Sequence, residues 1–90
     1  MNLAMQQQNK TRPILITGCS SGIGQCVAQG LKQRGYRVFA TARQAADVSR
    51  LLDLGFESLQ LDLNDSGSID IAVDEILART NGQLYALFNN

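Results

Sequence analysis

No histidine occurs in the 90-residue chain, which removes imidazole general bases and histidine metal sites from the chemistry it can carry. Only two cysteines are present, Cys19 and Cys26. Their spacing fits neither a disulfide framework nor a zinc site, and one falls in a turn and the other in a helical pattern. A bridge is not expected, and a reducing compartment is the default. Net charge is also lacking: eight basic residues balance eight acidic ones, so no global field favours nucleic acid or an anionic membrane. No apolar run approaches the ~20 residues of a membrane span, and the N-terminal segment lacks the apolar core of a signal peptide. The expected location is cytoplasmic. Ninety residues make at most one small domain, marginal for burying a core. The apolar share of 44% is ordinary and the charged share of 18% is slightly low.

Met1 to Thr11 is polar and without period, with Gln6-Gln7-Gln8-Asn9 at its centre. A flexible tail is expected over residues 1–12, in which Lys10 and Arg12 are solvated charges. Pro13 to Thr17 is a short, nearly continuous apolar run, the pattern of a parallel strand covered on both faces. Its proline, the only one in the chain, fits at the strand start, where no ladder donor is lost. From Gly22 to Arg34 the pattern turns helical, with Ile23, Val27 and Leu31 recurring every four residues as the buried stripe. Gly30 weakens this helix, and close approach to the sheet is the expected compensation. Gly35 ends it.

Tyr36 to Thr41 reads as a second strand. A short helix carried by Val48, Leu51 and Leu52 follows, closed by Gly55. Phe56 to Leu63 alternates through Phe56, Leu59, Leu61 and Leu63 and reads as a third strand. Asn64 or Asp65 is the expected N-cap of the next helix, whose stripe is Ile69, Val73, Ile76 and Leu77. Asn81-Gly82 breaks that helix, and Leu84 to Phe88 is a fourth strand. The sum is β-α-β-α-β-α-β with short connections, an α/β open parallel sheet with right-handed crossovers. The expected strand order is 3-2-1-4, half of a doubly wound sheet over residues 13–90. The fourth strand is then left as an apolar edge, and self-association through it is expected.

Chemistry concentrates in Thr17-Gly18-Cys19-Ser20-Ser21-Gly22-Ile23-Gly24. Strand, glycine-rich turn and helix together cradle a pyrophosphate, because the turn's N–H groups lack intrahelical partners and the helix dipole adds positive potential there. The glycine spacing 18, 22, 24 differs from the generic G-x-G-x-x-G pattern. It resembles the T-G-x-x-x-G-I-G signature of the short-chain dehydrogenase/reductase family and matches it at every fixed position. Asn89-Asn90 resembles the opening half of the family's N-N-A-G motif, and Asp62 the family aspartate that hydrogen-bonds adenine. Taken alone, Asp62 reads more readily as a strand-end or helix-capping carboxylate than as an adenine ligand, and two asparagines can be accidental.

The resemblance implies a dinucleotide site built from Gly18, Cys19, Ser20, Ser21, Gly22, Ile23, Gly24, Arg43, Asp62, Leu63, Asn89 and Asn90. Arg43 is the residue that bears on cofactor choice. The place of the acidic residue that receives the ribose hydroxyls of NAD is Ala42, and Arg43 follows at once. It resembles the arginine of NADP-preferring members, able to pair with the 2′-phosphate and stack on adenine. The alternative is a solvated loop arginine. The family's other basic position is Ser21 here, so a second phosphate-binding cation is missing. Cys19 reads as a small filler rather than a redox nucleophile, although a helix N-terminus can lower a thiol pKa.

The family transfers hydride between nicotinamide and a carbonyl or alcohol, using a serine and a Tyr-x-x-x-Lys pair that lie beyond N-N-A-G. Neither Tyr36 nor Tyr85 is followed four residues later by lysine: position 40 is alanine and position 89 asparagine. The expectation is therefore the NADP(H)-binding half of a reductase whose parent takes a small-molecule substrate, with the 90-residue chain itself inactive. A non-catalytic, redox-sensing NADP-binding module is the alternative. A methyltransferase fits worse, since Ala42-Arg43 is the opposite of the acidic residue that class places after its second strand.

Overall fold

The computed structural model describes residues 12–90, so the tail expected over Met1–Thr11 lies outside the described residues. Arg12, assigned to that tail, is instead tied to the body. Its guanidinium stacks 4.7 Å from the Tyr85 ring centroid, and its carbonyl accepts from Arg37 N–H at 3.3 Å.

Among the described residues the elements run β1 (Pro13–Ile16), α1 (Gly22–Gln33), β2 (Arg37–Ala42), α2 (Ala45–Asp53), β3 (Glu57–Gln60), α3 (Ser66–Arg79) and β4 (Ala86–Phe88). They form one four-stranded sheet of order β3-β2-β1-β4, parallel throughout. β1 is central because it pairs on both sides, Leu15 lying opposite Phe39 of β2 and Leu87 of β4.

Strand alternation splits the core in two. Ile14, Ile16, Val38, Ala40 and Ala42 point to one face, where Ala28 of α1 and Leu51 of α2 cover them. Leu15 and Phe39 point to the other, where Ile76 of α3 covers them. Burial on both faces is why β1 reads as a continuous apolar run rather than an alternating one.

The expected helix stripes hold in part: Val27, Leu31 and Val48 pack half-buried against the core that contains Leu51, but Ile23 and Leu52 are exposed. α1 meets the sheet through Gly24 and Ala28, its buried residues, while Ile23 is 71% exposed. Small side chains let the helix come close to the sheet, and Val27 and Leu31 pack half-buried beside them. The close approach falls at Gly24 and not at Gly30, beside which a methyl group would meet nothing within 4 Å. In α3, Ala72 and Ile76 are the buried residues, with Ile69, Val73 and Leu77 half-buried beside them. In α2, Leu51 is buried and Leu52 exposed.

α1 and α2 end alike. Tyr36 N–H donates to Leu31 O and Gly35 N–H to Lys32 O; Phe56 N–H donates to Leu51 O and Gly55 N–H to Leu52 O. Both are Schellman caps that need a left-handed residue, supplied by Gly35 (φ 93°) and Gly55 (φ 94°). The aromatic after each glycine then packs into the helix-covered core. Of the two candidate caps for α3, Asp65 does the work, accepting from Gly67 N–H at 3.0 Å and Ser68 N–H at 3.3 Å. β3 is shorter than the expected Phe56–Leu63. Asp62 Oδ1 accepts from Asn64 N–H at 3.0 Å and its carbonyl from Asp65 N–H at 3.0 Å, turning the chain and leaving Leu63 exposed.

Candidate functional site

The four strands are parallel, so their carboxyl ends share one rim of the sheet. The turn after β1, Arg43 after β2, Asp62 after β3 and Asn89-Asn90 after β4 all stand on it. Consecutive crossovers run outward from β1 to β3 and then return to β4 on its other side. The β1–β4 junction is therefore the switch point where open α/β sheets bind ligands.

At that junction a hydrogen-bonded knot joins the two strand ends. Thr17, buried, donates its hydroxyl to Asn89 Oδ1 at 2.8 Å and accepts from Asn90 N–H at 3.0 Å. Asn90 Nδ2 donates to Gly18 O at 3.1 Å. Gly18 has φ 66°, a left-handed conformation that L side chains rarely adopt. A Cβ on Gly24 would lie 2.5 Å from Gly18 O and 2.9 Å from Asn90 Nδ2. Gly18, Gly24 and Asn90 thus interlock. Gly22 differs: a Cβ there meets nothing within 4 Å, so its small size keeps the space in front of α1 free.

The first turn of α1 has no acidic residue and no side-chain cap, in contrast to the Asp65-capped α3. Its leading N–H groups are left to an external acceptor. Ser20 and Ser21 are exposed beside them. Cys19 faces the other way. Its N–H donates to Thr41 O at 2.9 Å, its thiol lies 3.4 Å from Ile16 O, and it is fully buried. Burial is the largest influence on the Cys19 thiol and raises its pKa above the ordinary value. Its place is structural, beneath the turn, and neither its amide nor its sulfur is presented to the rim.

Arg43 and Asp62 meet in a second part of the rim, a cleft of about 460 Å³ that Gln60, Ser68 and Ile71 help to line. Gln60 Nε2 donates to Arg43 O at 2.9 Å, and Asp62 N–H donates to Ser68 Oγ at 3.0 Å. These bonds fix the backbone at both positions. The Arg43 side chain is exposed and makes no hydrogen bond or ion pair among the described residues. Leu63 and Ile23 are exposed near the two parts of the rim.

Two residues of the site escaped the sequence reading. Thr41 donates its hydroxyl to Ile16 O at 2.9 Å and accepts from Cys19 N–H, seating the turn on β2. Arg50 donates to Ser20 O at 3.0 Å from α2. No local pattern marks either, because each acts on a chain segment brought near only by the fold.

Sheet order and rim together define half of a nucleotide-binding Rossmann fold. The family model described as short chain dehydrogenase matches residues 12–90, and the chain belongs to that family of oxidoreductases. It is 46% identical over 79 residues to an oxidoreductase of Escherichia coli named YbbO, covering 88% of this chain and 29% of that protein. It is 42% identical over 78 residues to an NADPH-dependent 1-acyldihydroxyacetone phosphate reductase of Schizosaccharomyces pombe, covering 86% and 26%. A crystal structure of a short-chain dehydrogenase from Streptomyces avermitilis superposes with a TM-score of 0.69 at 32% identity, over 78% of this chain and 26% of that one. One from Bacillus anthracis reaches a TM-score of 0.79 over 90% of this chain at 24% identity, a likeness of fold. The chain therefore spans under a third of the length of these curated relatives.

Proposed function

We propose that the chain forms the adenosine- and pyrophosphate-binding half of an NADP(H)-dependent reductase acting on a small carbonyl or alcohol substrate. The bound nicotinamide would supply or accept the hydride. The residues present fit such a group. Gly22 keeps the space before α1 clear, and the uncapped N–H groups suit a pyrophosphate. Ser20 can add a hydroxyl. Asn89 and Asn90, held by Thr17, keep the β4 end against the turn.

The observation that carries the choice of NADP is Arg43. Its guanidinium stands exposed after β2 with no partner among the described residues, following an alanine that offers the ribose no acceptor. Asp62 lies in the same cleft for the adenine end. The NADPH dependence in the name of the Schizosaccharomyces relative supports the same reading. A charge-assisted bond to a 2′-phosphate is worth ~1.5–3 kcal/mol, roughly ten- to a hundredfold in affinity, and solvent exposure favours the lower figure. The test is titration with 2′-phospho-AMP against AMP, in the wild type and in Arg43→Ala. The expected result is a preference of about tenfold that the variant abolishes. Equal affinities in the wild type would remove Arg43 from this role.

The catalytic serine and Tyr-x-x-x-Lys pair of the family find no counterpart in residues 1–90, so the 90-residue chain is expected to bind without reducing. NADPH-dependent carbonyl reduction by the purified chain would overturn that. A cytoplasmic setting accords with the thiol usage and neutral charge.

A further inference from the structure

Ser20 stands at the outer bend of the glycine-rich turn, and its carbonyl is held by a side chain from another helix. Arg50 of α2 donates from Nη2 to Ser20 O at 3.0 Å, and from Nη1 to Gln25 Oε1 of α1 at 3.4 Å. The same Nη2 lies 3.4 Å from Asp47 Oδ1, one turn back on α2. One guanidinium thus joins the turn, α1 and α2. The flat fork of arginine can do this, whereas a lysine ammonium lacks the two-pronged geometry.

A trans peptide is planar, and its C=O and N–H point in opposite directions. The Ser20 carbonyl and the Ser21 N–H belong to one such plane. Drawing the carbonyl toward Arg50 therefore turns the Ser21 N–H away from α2. Ser21 is the extended residue that precedes α1 (φ −123°, ψ 170°) and makes no side-chain cap. Its N–H has no backbone partner among the described residues. A peptide flipped the other way would set the Ser20 oxygen, an acceptor, where an anion is to be received.

We propose that Arg50 is a positioning residue of the cofactor turn: by holding the Ser20 carbonyl, it aims the Ser21 N–H at the pyrophosphate. This rests on the nucleotide-binding reading of the turn. The Arg50 charge is shared with Asp47 rather than spent on the ligand.

The experiment uses the 90-residue chain with Arg50→Met and Arg50→Lys. Arg50 is half exposed, so both variants keep the core. In amide NMR spectra without ligand, both substitutions should displace the Ser21 resonance and leave those of Ala40 and Ile76 in place. With ADP as the probe, both variants should bind about tenfold more weakly than the wild type, while adenosine binding is unchanged. An unmoved Ser21 resonance in Arg50→Met overturns the proposal. So does recovery of the ADP affinity in Arg50→Lys while its Ser21 resonance stays displaced, because charge alone would then suffice. Failure of the wild type to bind ADP would sink the nucleotide reading of the turn, and the ligand-free spectra would still decide whether Arg50 orients Ser21.

Discussion

Thr17 and Asn90, 73 positions apart, are joined at a single oxygen: the Thr17 hydroxyl accepts the Asn90 N–H at 3.0 Å while donating to Asn89. This buried hydroxyl welds the end of β1 to the end of β4 and places Asn90 against Gly18. Thr17→Val keeps the shape and removes the oxygen, leaving Asn90 N–H and Asn89 Oδ1 without their partner. The expected loss is about 1–3 kcal/mol, read as a lower urea midpoint. Faster amide exchange at Asn90 should accompany it. An unchanged midpoint would show that the knot adds nothing to stability.

Gly24 and Gly30 lie on the same helix and predict opposite outcomes. Gly24→Ala drives a methyl against the Gly18 carbonyl, with a backbone atom on the receiving side that cannot swing away. Destabilisation of about 1–3 kcal/mol is expected, with loss of ADP binding. Gly30→Ala meets open space and should stabilise by about 0.5–1 kcal/mol through helix propensity. Thermal melts of the two variants check both signs.

Arg37 and Glu57 form a two-pronged pair between β2 and β3, at 2.7 and 2.9 Å. Arg37 also donates to Arg79 O at 3.1 Å, reaching the end of α3. The hydrogen bonds from Arg37 hold the Glu57 carboxyl below its ordinary pKa, against a smaller opposing push from burial. A lowered folded-state pKa stabilises above the unfolded value, and that contribution is lost as pH falls through the folded one. The window therefore opens near pH 4.5, the ordinary glutamate value, and extends downward. Both side chains are about one-third exposed, so the contribution is below about 1 kcal/mol. Glu57→Gln should flatten this part of the stability–pH curve. A curve of unchanged slope would assign the acid sensitivity elsewhere.

β4 is exposed along its whole length, with Leu87 at 59% and Phe88 at 40%. Its outer N–H and C=O groups face away from β1, and such an edge recruits another strand. Concentration-dependent association of the 90-residue chain is expected in sedimentation velocity. Leu87→Lys should weaken it by placing a charge on the edge. A wild type that stays monomeric at high concentration would rule this out.

The element order was legible because each element carries its own signals. Gly35 and Gly55 sit where Schellman caps need left-handed residues, and the turn's glycines match a pattern of fixed spacing. Side-chain phase was less so. Periodicity marked Ile23, Val27 and Leu31, of which Val27 and Leu31 pack half-buried against the core, but the fully buried residues of α1 are Gly24 and Ala28. Close packing selects small side chains, which a hydrophobicity pattern does not see. Thr41, Arg50 and the pair Arg37–Glu57 were invisible for another reason. Their partners lie 20 or more positions away and become neighbours only when β2 settles between β1 and β3.

By itself, then, the chain's order of residues determined the run of α/β elements and the glycine-rich turn over residues 17–24, whose spacing resembles the signature of the short-chain dehydrogenase family. Local geometry suffices for these: strand, turn and helix signals act within a few residues. Tertiary structure alone decided that Cys19 is buried beneath the turn, that Asn90 locks Gly18 and Gly24, and that Arg50 holds Ser20. Those assignments depend on which strand lies beside which and how closely the helices approach. Packing and hydrogen-bond satisfaction across the sheet decide both.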